Sequence, residues 1–395
     1  MKQRMASGKF WLALIFVMAL GALNGCGRFF VDETTDTGGG TGGTGTSNSY
    51  VYAIGSATNT DGTKTYTLSG YAVSTRKLTP ITGLPITLPF EPTALAVAPS
   101  NSSLYVAGAD GIYSYPIAAN GTVGTGTLRI ASIVSSMDIS PDGKWLFALE
   151  TVNAALDQFT IDTSTGTLSL ANSIPILFTD QTVPSQAMMV RVSPSGTFIV
   201  AAMGNAGDAF FTLNKGTGAV AATGTQSPNS ASAADNAVAF DNTSTYAYIA
   251  RSGTGGGVIV YKIDSSGSPT YLLGPPNDVT NSAAYAVTLD STGKYLYVAD
   301  RTQGNINGYA IGTNSALTPL DHSPYESGNG VNSLALATTS DTSVPYVLAG
   351  ASGGPDLTVY AIDTIYPGQL VPLPDASTSD TASTGVVAIA TTHAN

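Results

Sequence analysis

The sequence is poor in the residues that most often build metal sites and disulfides. It contains one cysteine, Cys26, and two histidines, His322 and His393. A single cysteine excludes an internal disulfide, even in an oxidising compartment. Without a histidine pair, a second cysteine or an EF-hand spacing, no metal motif is recognisable. We therefore predict no metal and no cofactor, and we interpret the two histidines as loop residues.

Charged residues are scarce as well, and basic residues most of all. Only 10% of the 395 residues are charged, with 15 Lys and Arg against 26 Asp and Glu, and the formal net charge is −11. Because phosphate binding needs clustered Lys and Arg, which the sequence lacks, we expect no nucleic acid partner. Long runs of helix formers are also missing. The 44 glycines and 21 prolines instead indicate a β-rich protein with many turns.

The N-terminal segment has the composition of an export signal. Lys2, Arg4 and Lys9 surround the start of an apolar segment, Phe10–Leu23, which is short for a membrane span and typical of a signal peptide. A plain secretory signal followed by an incidental cysteine would have the same charge and hydropathy pattern.

The residues that follow favour a lipid anchor over a plain signal. The motif "LNGC" ends at Cys26 and resembles the lipobox of bacterial lipoproteins, which are cut before the cysteine and then acylated on it. The resemblance implies a lipoprotein signal peptide over residues 1–25, and a lipidated Cys26 with a Gly/Thr-rich linker over residues 26–49. Gly27 stands where an aspartate would resemble an inner-membrane retention signal. We therefore expect export to the bacterial cell envelope, with the outer membrane as the anchoring membrane.

The remaining sequence, residues 50–395, repeats itself. An alternating apolar strand, a polar turn and a second strand recur about every fifty residues. Examples are "MDISPDGKWLFALE" and "VTLDSTGKYLYVADR". Seven copies occur, but the last has only its first strand, Val386–Thr392, while unpaired strands begin at Tyr50. The pattern predicts an all-β, seven-bladed β-propeller with four antiparallel strands per blade, in which N- and C-terminal strands share one blade.

These repeats resemble a known family. "SPDGKWLFALE" and "DSTGKYLYVAD" are similar to the blades of lactonase-type propellers, the YVTN-repeat relatives of 6-phosphogluconolactonase, over about residues 50–392. The motif "ADRT" resembles the family blade in which Arg301 would stabilise an anion. The resemblance further implies an Arg-His pair, a Glu and a second His, whose positions are occupied here by Asn236, Ala237, Ser252 and Met188, so the family's candidate bases are replaced.

Polar residues are predicted to gather at one mouth of the central channel. In an antiparallel hairpin, the start of the first strand and the end of the second lie at the same end. Repeated around an axis, these positions form a ring that could bind an anionic or polyol ligand. The alternative is that turn ends near solvent are simply polar. The ring contains Glu91, Asp235, Asn236, Tyr285 and Asn332 at strand starts, and Glu150, Arg251, Asp300 and Arg301 at strand ends.

Two further charged residues lie deeper along the first strands. Asp138 and Arg191 occupy equivalent positions in consecutive repeats. We predict that they pair across neighbouring blades near the channel. A buried ion pair that fixes blade register is the favoured interpretation, with a ligand-binding role as the alternative.

Two functions are compatible with these residues. The preferred one is a non-catalytic, surface-tethered module that binds a small polar ligand, a glycan or a protein partner through one channel mouth. The alternative is a lactone hydrolase, in which Arg301 stabilises the anion and Glu150 or Asp300 acts as the base. The closed ring suggests a monomer whose only membrane contact is its lipid anchor.

Overall fold

The computed structural model of the chain describes residues 49–74, 77–178, 185–226, 232–272, 282–339, 342–373, 378 and 385–393. The predicted signal peptide, Cys26 and residues 27–48 of the linker lie outside these ranges. Within the described ranges the chain is built from β-strands, with a single 3₁₀ turn at Thr313–Ser315. Within the same ranges, no helix is long and apolar enough to cross a membrane.

The strands are short and follow one another closely along the chain. The first half contains β1 (Ser49–Thr58), β2 (Lys64–Ser74), β3 (Lys77–Pro80), β4 (Ile86–Leu88), β5 (Pro92–Val97), β6 (Ser103–Gly108), β7 (Gly111–Pro116), β8 (Thr127–Ile130), β9 (Val134–Ile139), β10 (Trp145–Glu150), β11 (Ala155–Asp162), β12 (Thr167–Pro175), β13 (Met189–Val192), β14 (Phe198–Ala202), β15 (Asp208–Leu213) and β16 (Val220–Gln226). The second half contains β17 (Ala234–Phe240), β18 (Tyr246–Gly253), β19 (Gly257–Ile263), β20 (Pro269–Tyr271), β21 (Ser282–Leu289), β22 (Tyr295–Asp300), β23 (Asn305–Ile311), β24 (Leu317–Pro319), β25 (Tyr325–Glu326), β26 (Val331–Thr339), β27 (Thr342–Ala351), β28 (Leu357–Ile362), β29 (Leu370–Pro372) and β30 (Val386–Thr391).

The strands form seven antiparallel blades of four main strands each, and the short strands β4 and β25 pair in addition with β2 and β23. From inside to outside, blade I is β30-β1-β2-β3, blade II is β5 to β8, blade III is β9 to β12, and blade IV is β13 to β16. Blade V is β17 to β20, blade VI is β21 to β24, and blade VII is β26 to β29. A short pairing of β18 with β21, through Ser252 and Ala283, joins blades V and VI into one continuous sheet.

The innermost strands close a ring. Each contacts the innermost strand of the next blade, in the order β5, β9, β13, β17, β21, β26, β30 and back to β5. Closure is completed by the antiparallel pairing of β30 with β1. Beyond the end of this ladder, the backbone N–H of Tyr50 donates to Thr392 Oγ1 at 2.9 Å, and the N–H of Thr392 donates to the Tyr50 carbonyl at 2.9 Å. The predicted seven-bladed propeller and its shared terminal blade are confirmed.

The hydrophobic core lies between blades. Each blade packs on a neighbour through both of its faces, so its inner strands are apolar on both sides. One cluster, for example, joins Phe147 of blade III to Phe211 of blade IV, both almost fully buried. The outermost strands, such as β12, are largely exposed. Burial is therefore highest in the second strands, such as β14, and lowest in the outermost ones.

The turn between the first two strands of a blade explains the recurring sequence motif. In "SPDG" and "DSTG", Gly143 and Gly293 donate their N–H to the carbonyls of Ser140 and Asp290, three residues earlier. Both glycines have φ near +70° (71° and 69°), a conformation in which a side chain is strained. Each motif therefore fixes the register of its own hairpin.

Candidate functional site

The channel has two ends, which the hairpin geometry distinguishes. At one end the innermost strands begin and the second strands finish; we call it the start mouth. The pairings Val134 with Glu150, Asp235 with Arg251, and Ala284 with Asp300 all lie there. The other end carries the hairpin turns between these strands, and we call it the turn mouth. The predicted gathering of strand starts and strand ends at one mouth is therefore confirmed.

A series of β-bulges, which the sequence pattern did not reveal, shapes the start mouth. In several blades the innermost strand carries a bulge near its first residues, where one residue is skipped in the pairing with the second strand. A bulge adds one residue to one strand and redirects its side chain. The skipped residues are Thr93, Ser135, Asn236, Tyr285, Asn332 and Val387.

Three of these bulge residues bind the next blade. Asn236 Nδ2 donates to the carbonyl of Ala284 at 2.8 Å and to Ser252 Oγ at 2.9 Å. Asn332 Nδ2 donates to the carbonyl of Val386 at 2.7 Å, and Thr93 Oγ1 donates to that of Val134 at 2.6 Å. The innermost strand of each blade is a sheet edge with unpaired backbone groups, and these side chains satisfy them. The predicted ligand residues Asn236 and Asn332 thus make inter-blade contacts.

Asp235 and Arg251 form a buried ion pair. Arg251 Nε and Nη2 lie 2.5 and 2.8 Å from the two carboxylate oxygens of Asp235, in a two-pronged arrangement. The residues are 0% and 6% exposed. Two residues that were not predicted as site residues lie beside them: Asp208, which begins β15 of blade IV, and Tyr261 on β19. The sequence feature that could have identified Asp208 is its place at the first position of a mostly apolar strand, "DAFFTL".

This four-residue group, which we call the Asp208 cluster, contains two carboxyl groups and one guanidinium. Asp208 is 0% exposed, and neither of its carboxylate oxygens accepts a hydrogen bond of good geometry. Burial and the neighbouring charge of Asp235 hold the pKa of Asp208 well above its usual value, against the opposing effect of Arg251. For Arg251, burial opposes the charged form, but the hydrogen bonds and charge of Asp235 outweigh it and raise the pKa. Burial likewise raises the pKa of Tyr261.

The two predicted catalytic acids are both occupied by backbone N–H groups. Asp300, 4% exposed, accepts from Thr302 at 3.0 Å, Gln303 at 2.9 Å and Ala283 at 3.1 Å. Glu150 accepts from the N–H groups of Val152 and Asn153, at 2.8 and 2.6 Å. Each carboxylate therefore holds the turn that follows its own strand.

Arg301 is arranged differently from its neighbour in the sequence. Its side chain is exposed, and its guanidinium carbon lies 4.7 Å from the ring centroid of Tyr285, over the ring face. Such a contact orients a guanidinium while leaving its N–H groups available. Among the described residues, no ion pair with Arg301 is found. Glu91, in contrast, is exposed and paired with Lys64 at 3.2 Å.

The predicted pair between Asp138 and Arg191 does not form. Within the described ranges the ion pairs closer than 4.0 Å join Lys64 to Glu91, Lys144 to Asp142, and Arg251 to Asp235. The Asp138 carboxylate instead accepts from the backbone N–H of Val192, in the next blade, at 2.8 Å, and from that of Ile139 at 3.0 Å. Asp138 thus connects blades III and IV, but through the backbone edge of β13. Equivalent sequence positions did not imply facing side chains.

Arg191 lies at the turn mouth, on the wall of a cavity of about 260 Å³. The wall is built from the innermost strands of blades IV to VII and from the hairpin turns of blades IV to VI. It includes Val238, Val287, Leu334 and Thr288. The ligand-binding alternative predicted for Asp138 and Arg191 placed both residues near the channel but did not specify this mouth. Among the described residues, no group of three or more His, Cys, Asp and Glu could hold a metal ion.

One of three comparisons with known proteins identifies a family. The family model for "Lactonase, 7-bladed beta-propeller" matches residues 51–327. No curated protein sequence matches the chain. A solved protein from Lactobacillus plantarum is similar, with 16% identity over 88% of this chain and 99% of its own, and a TM-score of 0.68.

Two further solved structures carry functional names. A Bacteroides fragilis protein, proposed to be a 6-phosphogluconolactonase, has 16% identity over 89% of this chain and 100% of its own, with a TM-score of 0.66. The periplasmic gluconolactonase of Pseudomonas aeruginosa has 15% identity over 87% of this chain and 99% of its own, with a TM-score of 0.62. At such identities the likeness concerns the fold.

Proposed function

This chain belongs to the lactonase family of seven-bladed β-propellers, and from that premise we propose that it is a tethered binding module. Its ligand is a small anionic or polyol molecule, such as a sugar acid, taken up at the start mouth. A glycan or a protein partner with an exposed carboxylate would satisfy the same chemistry. Arg301, stacked on Tyr285, provides the anion contact.

The contrast between Arg301 and the two predicted catalytic acids carries this proposal. The guanidinium is exposed and oriented by the Tyr285 ring, so it can bind a carboxylate with two hydrogen bonds. Asp300 and Glu150 already accept hydrogen bonds from the backbone N–H groups of their own turns. Ring opening of a lactone needs a base that can take a proton from water. An arginine without such a base favours binding over hydrolysis.

Family membership supports a second candidate, a lactone hydrolase. In this case Arg301 would stabilise the developing oxyanion. Glu150 or Asp300 would have to leave its turn to act as the base.

We expect Arg301→Ala to weaken the binding of gluconate, our probe ligand, by about 10- to 100-fold. This range corresponds to the roughly 1.5–3 kcal/mol of a charge-assisted hydrogen bond. Titration calorimetry on the propeller measures the affinity, and D-glucono-1,5-lactone is the substrate for a parallel ring-opening assay. Lys77→Ala, which removes an exposed cation from the outer strand β3, controls for the change in net charge.

The two candidate functions give different results in these assays. Gluconate binding that depends on Arg301, with lactone opening at the spontaneous rate, supports the binding module. Lactone opening above the spontaneous rate that is lost in Arg301→Ala supports the hydrolase and rejects a purely binding role. Equal gluconate affinity of wild type, Arg301→Ala and Lys77→Ala would exclude the start mouth as the binding site.

The tether is a further part of the proposal and rests on residues 1–49 of the sequence. A lipid-modified Cys26 would anchor the chain to the outer membrane, and the Gly/Thr-rich linker would separate the propeller from the surface.

We expect Cys26→Ser to release the protein from membranes, because the serine cannot carry the thioether-linked lipid. In a bacterial host that processes lipoproteins, the wild type should partition into the detergent phase and the variant into the aqueous phase. Mass spectrometry of the N-terminal peptide identifies the modification. Equal partitioning of the two proteins would support a plain secretory signal.

A further inference from the structure

We propose that the turn mouth holds a second ligand site, in which Arg191 binds a small carboxylate with an apolar tail. This site is separate from the start mouth and does not depend on the function proposed there. It rests on the position of Arg191, on its lack of a partner among the described residues and on the walls of the cavity around it.

Arg191 is the only cationic side chain on the wall of this cavity among the described residues. It lies on the short innermost strand β13 and is half-buried. Equivalent positions of the next two blades are the small residues Ala239 and Thr288, which line the same cavity. A large cation beside small neighbours leaves open space next to the guanidinium.

No described residue neutralises this guanidinium. It forms no ion pair and no hydrogen bond with any described side chain or carbonyl. Asp138, the nearest acid by sequence equivalence, accepts from the backbone N–H of Val192 instead. A charge that is partly removed from water is unfavourable unless a counter-charge compensates it. An anionic ligand would supply that counter-charge.

Asp290, the one acidic residue on the described cavity wall, already accepts hydrogen bonds from its own hairpin turn. Asp290 is 3% exposed, and its two carboxylate oxygens accept from the N–H groups of Thr292 at 2.9 Å, Lys294 at 2.8 Å and Tyr295 at 2.8 Å. The Thr292 hydroxyl donates to it as well. Because these bonds hold the carboxylate in its hairpin turn, it faces the turn backbone rather than the ligand space.

The rest of the wall determines the class of ligand. The wall combines apolar groups, from Val287, Leu334 and Leu336, with polar groups, from Asn242, Thr288 and Ser291, so it can accommodate a carboxylate together with a small apolar group of the same ligand. A volume of about 260 Å³ is just below the roughly 300–1,000 Å³ of pockets for drug-sized ligands. The complementary ligand is therefore a compact monocarboxylate. The planar guanidinium would bind its carboxylate with two parallel hydrogen bonds.

The test uses benzoate and isovalerate as probes and titrates them into the full mature protein, with benzyl alcohol as the neutral analogue. We expect both carboxylates to bind and benzyl alcohol to bind at least tenfold more weakly. Arg191→Met keeps most of the apolar stem and removes the charge, so affinity for benzoate should fall by about 10- to 100-fold. Arg191→Lys should recover part of this loss.

A second variant separates the site from any effect of Arg191 on folding. Ala239→Phe keeps the arginine but fills the cavity, so it should abolish benzoate binding while the far-UV spectrum stays native. Lys77→Met removes an exposed outer cation, and we expect it to leave benzoate affinity unchanged. No benzoate binding by wild type at about 10 mM, or binding that survives both Arg191→Met and Ala239→Phe, would overturn the proposal. Binding lost only in Arg301→Ala would assign the probe to the start mouth and overturn it equally.

Discussion

Replacing Arg251 with alanine should lower the free energy of unfolding by about 3–5 kcal/mol, the range observed when one partner of a buried ion pair is removed. The guanidinium holds both oxygens of Asp235, at 2.5 and 2.8 Å, and both residues are almost fully buried. Without it, Asp235 and Asp208 would remain as two adjacent carboxyl groups with no cation. Urea unfolding followed by tryptophan fluorescence or far-UV dichroism measures the loss, and a strong effect would appear as a low yield of folded protein.

An exposed ion pair gives the matched control for this variant. Lys64 and Glu91 lie 3.2 Å apart, but both side chains are about half exposed. Lys64→Ala should therefore change the unfolding free energy by less than about 1 kcal/mol. Arg251→Lys should fall between the two, because lysine keeps the charge but cannot bind both oxygens in the planar arrangement. An Arg251→Ala protein within about 1 kcal/mol of wild type would show that the pair does not stabilise the fold.

Removing all the charged side chains of the Asp208 cluster together tests whether the loss of stability comes from uncompensated buried charge. In an Arg251→Met background, Asp235→Asn and Asp208→Asn leave no buried charge to compensate. This triple variant should recover part of the stability lost in Arg251→Met alone, since neutral replacement of a buried ion pair is often tolerated. A triple variant less stable than Arg251→Met would instead assign the loss to packing.

The fold could be predicted from the sequence because each repeat contains the turn residues and the alternating strands that specify its own hairpin. Gly143 and Gly293 each occupy the left-handed position of a hairpin turn, and the alternating strands on either side specify which faces are buried. The last repeat has only its first strand, and further strands begin at Tyr50. This combination predicted the shared terminal blade. The structure confirms this pairing in β1 and β30.

The site could be predicted only in part, because a strand pattern with a period of two does not contain the bulges. The bulge at Asn236 directs its side chain towards the next blade, where the side-chain amide donates to the carbonyl of Ala284. Polar residues on the innermost strands looked like a ligand ring. Several of them in fact satisfy the unpaired backbone edges that face the neighbouring blade. Asp138 does so as well, and for this reason its predicted pairing with Arg191 was wrong.

Asp208→Asn should increase stability at neutral and alkaline pH and have little effect near pH 4. Burial and the charge of Asp235 raise the pKa of Asp208 in the folded protein above the ordinary value of 3.8. Above about pH 4 the unfolded chain therefore releases this proton, while the folded protein retains it. The folded state then binds more protons than the unfolded state, so the free energy of unfolding falls as pH rises. This group contributes up to about 1.4 kcal/mol per pH unit until the folded pKa is reached.

Asparagine has no proton to lose, so the variant lacks this contribution to the pH dependence. The difference in unfolding free energy between Asp208→Asn and wild type should grow from pH 4 upward and become constant above the folded pKa; urea unfolding at intervals between pH 4 and pH 9 measures it. Asp61→Asn provides a control of opposite sign. Hydrogen bonds from Thr63 lower the pKa of the exposed Asp61, so any stabilisation from that group is present at neutral pH and is lost only as pH falls below about 4. Parallel curves for wild type and Asp208→Asn across this range would mean that Asp208 is ionised in the folded protein. In that case Arg251 would be neutralising two carboxylates at once, and Arg251→Ala would be more destabilising than the single pair with Asp235 predicts.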